Sequence, residues 1–115
     1  MNAISGDDYS VEFDPATGCV NISGSLRLGG LPEYAPVTQL LNRAMDECDT
    51  LTLDLTDLEF LNSSGIAALS KFVINVRDQA SCRLVIRGNK GVPWQGKSLN
   101  NLKRLMPNLE LEFEG

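Results

Sequence analysis

Apolar residues alternate with polar ones in several short stretches of the chain, the pattern of a β-strand with one face in the core. Such stretches lie at residues 9–13, 19–23, 51–55 and 109–113. Residues 83–87 carry the run Leu84-Val85-Ile86, which predicts a buried strand. The turn residues between the first two stretches, Asp14 to Gly18, predict an antiparallel hairpin.

Apolar residues spaced three and four apart predict three helices, near residues 36–48, 64–79 and 98–105. Pro36 suits the first turn of the first helix, and residues 24–32, rich in glycine, are expected to form a loop. Strands and helices alternate in the second half, so right-handed crossovers should make the last three strands parallel. We therefore predict one α/β domain over residues 1–115, with a mixed sheet and helices packed on it.

The same periodicities predict which side chains form the core. The residues expected to be buried are Leu41, Leu53, Leu55, Ile66, Leu69, Val73 and Val85.

Composition and charge exclude several classes of function. The chain has 115 residues and a net charge of -5, which argues against a nucleic-acid-binding face. It has no histidine, the commonest general base, and its three cysteines have no metal-site spacing, so we expect buried, reduced thiols. No apolar run approaches the length of a membrane span, and no signal peptide is evident. We expect a cytoplasmic protein that is not an enzyme and has no cofactor.

The sequence Asn62-Ser63-Ser64-Gly65 separates a strand pattern from a helix pattern. Serine is a preferred helix cap, so either Ser63 or Ser64 is predicted to cap the helix. A catalytic role for either serine is disfavoured because no histidine can activate it. The start of a helix also tolerates an anion, so a phosphate on one of these serines is compatible with folding.

Two neighbouring features have simpler structural interpretations. Asp54, Asp57 and Glu59 precede the serines and could suggest Mg²⁺, but polar positions at the end of a strand explain them better. Trp94 lies in a predicted loop at residues 88–96, where partial insertion into the core is favoured over partner binding.

The stretch LTLDLTDLEFLNSSGIAALSKFV, residues 51–73, resembles the STAS domain, the family of the bacterial anti-sigma factor antagonists. That family has an apolar strand, a polar link, an aspartate, a phosphorylatable serine or threonine, and a glycine that opens a helix. Ser63 occupies the phosphorylation position, and Asn62, Ser63, Ser64 and Gly65 form the partner-binding corner that the resemblance implies. Asn62 replaces the family's aspartate and carries no charge, which bears on kinase recognition more than on the fold.

The resemblance also implies a function. Such proteins bind a partner serine kinase, often an anti-sigma factor, and phosphorylation of the serine lowers the affinity until a PP2C-type phosphatase restores it. A regulatory protein of this partner-switching kind, controlled at Ser63, is the leading hypothesis. The alternative is a STAS accessory subunit of a membrane transport complex that is not phosphorylated.

Overall fold

Seven strands form one mixed sheet in the computed structural model, which describes residues 2–79 and 82–114. The strands are β1 (Ala3–Ser5), β2 (Tyr9–Asp14), β3 (Cys19–Leu26), β4 (Thr50–Asp54), β5 (Leu58–Leu61), β6 (Arg83–Asn89) and β7 (Glu110–Glu114). The helices are α1 (Leu31–Glu47), α2 (Ser63–Gln79) and α3 (Gln95–Leu105).

The sheet runs in the order β1-β2-β3-β4-β6-β7. β1, β2 and β3 pair antiparallel, which confirms the predicted hairpin. β4, β6 and β7 are parallel neighbours, as the alternation of strands and helices predicted. β5 lies off this path and pairs parallel with the end of β3, after a shift of register between Gly24 and Ser25.

The two faces of the sheet differ in polarity. One face packs with the helices into a single hydrophobic core, to which α1, α2 and α3 all contribute. The other face carries a row of polar side chains that crosses five strands in register: Glu12, Asn21, Asp54, Arg87 and Glu112. The alternation of apolar and polar positions in the sequence reflects these two faces.

Of the predicted core residues, six are buried: Leu41, Leu53, Leu55, Leu69, Val73 and Val85. The prediction for Ile66 is wrong, because its side chain is only half-buried. The buried face of α2 runs through Gly65, Leu69 and Val76, and Ile66 lies at the margin of that face.

Two helices begin earlier than predicted, and two strands were missed. α1 starts at Leu31, so Pro32 occupies its first turn and Pro36 lies inside the helix. α3 starts at Gln95 instead of residue 98. The short strand β1 and the strand β5 were not predicted. In β5 the buried residues, Leu58 and Leu61, are three positions apart, which hides the two-residue period of a strand.

The three cysteines, Cys19, Cys48 and Cys82, are free thiols, as expected, but they are half-buried instead of buried. Burial is the main cause that raises the pKa of each thiol, and nearby carboxylates such as Asp54 and Glu47 raise it further. Thiolate, the nucleophilic form, is therefore scarce at neutral pH. Among the described residues, no helix has both the length and the apolar character that a membrane span requires.

Candidate functional site

The junction between β5 and α2, residues 62–65, is called the corner below. α2 begins at Ser63, and the side chain of the preceding residue caps it. Asn62 Oδ1 accepts a hydrogen bond from the Gly65 amide at 3.0 Å, and the Asn62 carbonyl accepts one from Ile66 at 3.0 Å. Asn62 is therefore the N-cap. The prediction that Ser63 or Ser64 caps the helix is wrong, because the Asn62 side chain already occupies that position.

The Asn62 side chain also ties the corner to the segment that leads into α1. Its Oδ1 accepts a second hydrogen bond from the Tyr34 hydroxyl at 2.6 Å. Its Nδ2 donates to the Leu28 carbonyl at 2.8 Å. An amide can accept and donate at once, whereas a carboxylate can only accept. The local partners thus suit asparagine, and the family's aspartate could not make the bond to Leu28 in its charged form.

Tyr34 is buried, with 1% of its surface exposed. Burial raises the pKa of its hydroxyl, which outweighs the opposing effect of the Leu28 backbone. The hydroxyl therefore stays protonated at neutral pH and remains the donor to Asn62. Sequence reasoning missed this residue because it lies in a stretch that was expected to border a loop.

Gly65 is required by packing at the start of α2. A Cβ at this position would lie 2.7 Å from the Tyr34 hydroxyl oxygen and still closer to the end of the Leu61 side chain. Both neighbours are buried. The glycine of the motif therefore allows the helix to begin directly against the core.

The serines differ in exposure. Ser63 is exposed and Ser64 is half-buried. Within the described part of the chain, the Ser63 hydroxyl has no hydrogen-bond partner. Its oxygen is thus accessible to another protein, at the end of a helix whose first amides favour negative charge.

Two exposed apolar side chains lie on the elements next to the corner. Among the described residues, Phe60 and Leu31 are the large hydrophobic side chains exposed to solvent, at 41% and 39%. Phe60 lies on β5, three residues before Ser63. Leu31 begins α1 and lines a groove between α1 and α2 together with Ala68 and Lys71. The guanidinium of Arg27 lies over the Phe60 ring, with Cζ 4.9 Å from the ring centroid.

The carboxylates before the corner have structural roles or lie at the surface. Asp54 Oδ1 accepts hydrogen bonds from the backbone amide and the hydroxyl of Thr56, at 3.0 and 2.6 Å. These bonds close the turn from β4 into β5. Asp57 and Glu59 are exposed. Within residues 2–79 and 82–114, no cluster of acidic, cysteine or histidine side chains has the arrangement of a metal site.

Two residues at the start of α3 hydrogen-bond to the backbone of β5 and of the turn before it. Trp94 packs partly buried against the core, as predicted, and its Nε1 donates to the Glu59 carbonyl at 3.0 Å. Gln95 is fully buried and donates from Nε2 to the carbonyls of Leu55 and Leu58 at 2.7 and 3.0 Å. No pattern in the sequence indicated the role of Gln95, which depends on contacts between distant segments.

Comparison with known proteins decides the family. The sequence matches the STAS domain over residues 10–102. This chain belongs to the STAS domain family. No curated protein matches the chain significantly in sequence.

Solved structures with the same fold include SiaC of Pseudomonas aeruginosa, at 17% identity and a TM-score of 0.71, covering 100% of this chain and 98% of SiaC. Apo-SiaC from the same organism has 14% identity and a TM-score of 0.76 over the full length of both chains. A third match comes from the crystal structure of the P. aeruginosa diguanylate cyclase SiaD in complex with its activator SiaC, at 15% identity, a TM-score of 0.69 and coverage of 99% and 100%. At these identities the likeness establishes the shared fold of this STAS domain.

Proposed function

We propose that this STAS domain is a regulatory binding protein without catalytic activity, which docks on a partner protein through its corner and is controlled by phosphorylation of Ser63. One observation carries the proposal: an exposed serine with a free hydroxyl lies at a helix start, three residues after the exposed ring of Phe60. A second exposed hydrophobic side chain, Leu31, lines the groove between this helix and α1. Exposed apolar side chains that lie together are typical of protein–protein contact sites.

Phosphorylation alters this surface without unfolding it. A serine kinase transfers the γ-phosphoryl group of ATP to Ser63 Oγ, the hydroxyl proton is lost and ADP leaves. The product carries nearly two negative charges beside the first turn of α2, which tolerates them. A partner that binds Phe60 and Leu31 must then desolvate a dianion at the centre of its contact. Such a charge lowers affinity by about a hundredfold, which corresponds to about 2.7 kcal/mol.

Membership of the STAS family supports a proposal for the class of partner. STAS proteins that resemble this chain in its corner act with a serine kinase that is often an anti-sigma factor, and with a PP2C-type phosphatase. We place this chain in that group, in the cytoplasm, where ATP is available to the kinase. SiaC, which shares the fold, is an activator in complex with the diguanylate cyclase SiaD. A signalling enzyme such as a cyclase is thus a second class of partner for the same surface. A third candidate is the unphosphorylated subunit of a membrane transport complex. Its only support is that some STAS domains have that role.

The test starts with phosphopeptide mass spectrometry of the protein from its native cell, which should find phosphate on Ser63. Genes adjacent to the one that encodes this chain supply the candidate partner, as a kinase, a cyclase or a transporter subunit. Binding of that partner is then measured by calorimetry with three variants. Ser63→Asp should bind more weakly, Ser63→Ala should bind normally and resist the kinase, and Ser64→Ala serves as the matched control because its side chain is less exposed.

Two results contradict the proposal. Equal affinity of wild type and Ser63-phosphorylated protein for the partner excludes the switch. A complex whose affinity is unchanged when Phe60 and Leu31 are both replaced by serine places the docking surface elsewhere.

A further inference from the structure

Arg27 has a position and an environment that the proposed docking surface alone does not explain. It directly follows β3, whose last residue, Leu26, is in register with Leu61. The Asn62 amide donates to the Leu26 carbonyl at 3.1 Å, so the parallel ladder continues into the corner. This pairing places Arg27 opposite Asn62, the residue that precedes Ser63.

The cation of Arg27 has no carboxylate partner within residues 2–79 and 82–114. The contact that the guanidinium does make is with the exposed ring of Phe60, 4.9 Å from Cζ to the centroid. A cation–π contact at an exposed ring is weak. The guanidinium is therefore held near the corner by an interaction that a stronger ligand can replace.

A phosphate on Ser63 is such a ligand. Arginine binds phosphate through two parallel, charge-assisted hydrogen bonds, which are among the strongest polar contacts in proteins. Adjacent strands lie about 4.8 Å apart, so an extended arginine side chain at position 27 can span the distance to a phosphate at position 63. The ring of Phe60 is then left without its cation.

We propose that Arg27 is the intramolecular receptor for phosphoserine at position 63, and that phosphorylation moves its guanidinium from the Phe60 ring to the phosphate. This inference rests on the proposed function, because only a phosphorylated Ser63 offers the ligand. It adds a second component to the switch. Phosphorylation introduces a dianion and also removes the Phe60–Arg27 pair that the partner meets in the unphosphorylated protein.

The experiment uses the full chain with phosphoserine placed at position 63 during translation, so that neither kinase nor partner is needed. A ³¹P NMR titration measures the second pKa of the phosphate. The arginine cation stabilises the dianion, so Arg27→Gln should raise this pKa by about 0.5 relative to the otherwise wild-type phosphoprotein. Arg104→Gln is the matched control, since it removes the same charge from the exposed face of α3. Position 104 lies near the far end of α2, where Arg77 donates to the Leu105 carbonyl. Arg77 is about 21 Å from Ser63 along the helix.

A second readout follows the guanidinium directly. The carbon-bound protons of the Arg27 side chain lie near an aromatic ring in the unphosphorylated chain, so their NMR signals should move downfield when the guanidinium leaves the ring on phosphorylation. Phe60→Leu should remove that change. The inference is overturned if the phosphate pKa is the same with and without Arg27→Gln. It is also overturned if Arg27→Gln and Arg104→Gln change that pKa equally. These measurements need no partner, so they can be interpreted even if the docking test fails. In the same way, a negative result here leaves the docking test interpretable.

Discussion

Replacing Gly65 with alanine tests the packing that holds the corner against the core. Gly65 lies in the first turn of α2, where alanine would ordinarily favour the helix by about 1 kcal/mol. The local packing opposes this gain, because the added Cβ would meet the Leu61 side chain and the Tyr34 hydroxyl, the latter at 2.7 Å. Ordinary van der Waals contact begins at about 3.5 Å, so both neighbours must move.

The structure indicates how large the opposing terms are. Leu61 and Tyr34 are 5% and 1% exposed, so neither can swing into solvent. Overpacking of this kind costs about 1–3 kcal/mol. Displacing Tyr34 also weakens its bond to Asn62, at a further cost of about 0.5–1.5 kcal/mol. After the gain in helix propensity is subtracted, we expect Gly65→Ala to lower the free energy of unfolding by about 2 kcal/mol.

Urea unfolding, followed by the fluorescence of Trp94 and by circular dichroism, measures the change. Gly96→Ala is the matched control, because Gly96 also lies in the first turn of a helix but a Cβ there meets nothing within 4 Å. That variant should gain about 1 kcal/mol, the ordinary difference in helix propensity. If Gly65→Ala is as stable as the wild type or more stable, the close approach of Leu61 and Tyr34 to the helix start is wrong.

Three further substitutions test the core and its buried polar groups by the same unfolding assay. Asn62→Asp removes the hydrogen bond to the Leu28 carbonyl and faces it with a carboxylate, so we expect a loss of about 1–3 kcal/mol at pH 7, and a stabilised variant would contradict this. Leu69→Ala should cost about 2–5 kcal/mol because Leu69 is buried, and a loss below about 1 kcal/mol would show that the phase of α2 is wrong. Gln95→Leu removes three hydrogen bonds of a buried side chain, to the carbonyls of Leu55 and Leu58 and from the Asn89 amide, so a loss of about 2–3 kcal/mol is expected, and a neutral effect would refute the role of Gln95 in holding this loop.

Local periodicity was sufficient to predict most of the fold. The leucines of β4 and the apolar run of β6 marked the central strands, and the alternation of strands with helices implied their parallel pairing. Where an element has little periodicity of its own, the prediction failed. β5 is four residues long, and its two central side chains are exposed. It forms because the end of β3 pairs with it.

The corner shows the same limit at the level of single residues. Residues 62–65 were identified from their order along the chain, since a polar break between a strand and a helix pattern is a local signal. The cap was assigned to the wrong residue because serine and asparagine are about equally good caps. What decides between them is Tyr34 and Leu28, about thirty positions earlier, which orient the Asn62 side chain toward the helix start.

The residues around Ser63 therefore fall into two sets with separable roles. Tyr34, Asn62 and Gly65 form a hydrogen-bonded and packed network at the helix start, so changes in them should alter stability together with binding. Phe60 and Leu31 are exposed, so changes in them should alter binding and leave the free energy of unfolding nearly unchanged. Under the proposed function, a phosphate would be added to the exposed Ser63 hydroxyl, which makes no hydrogen bond to the network among the described residues. The surface could then be switched while the fold beneath it stays the same.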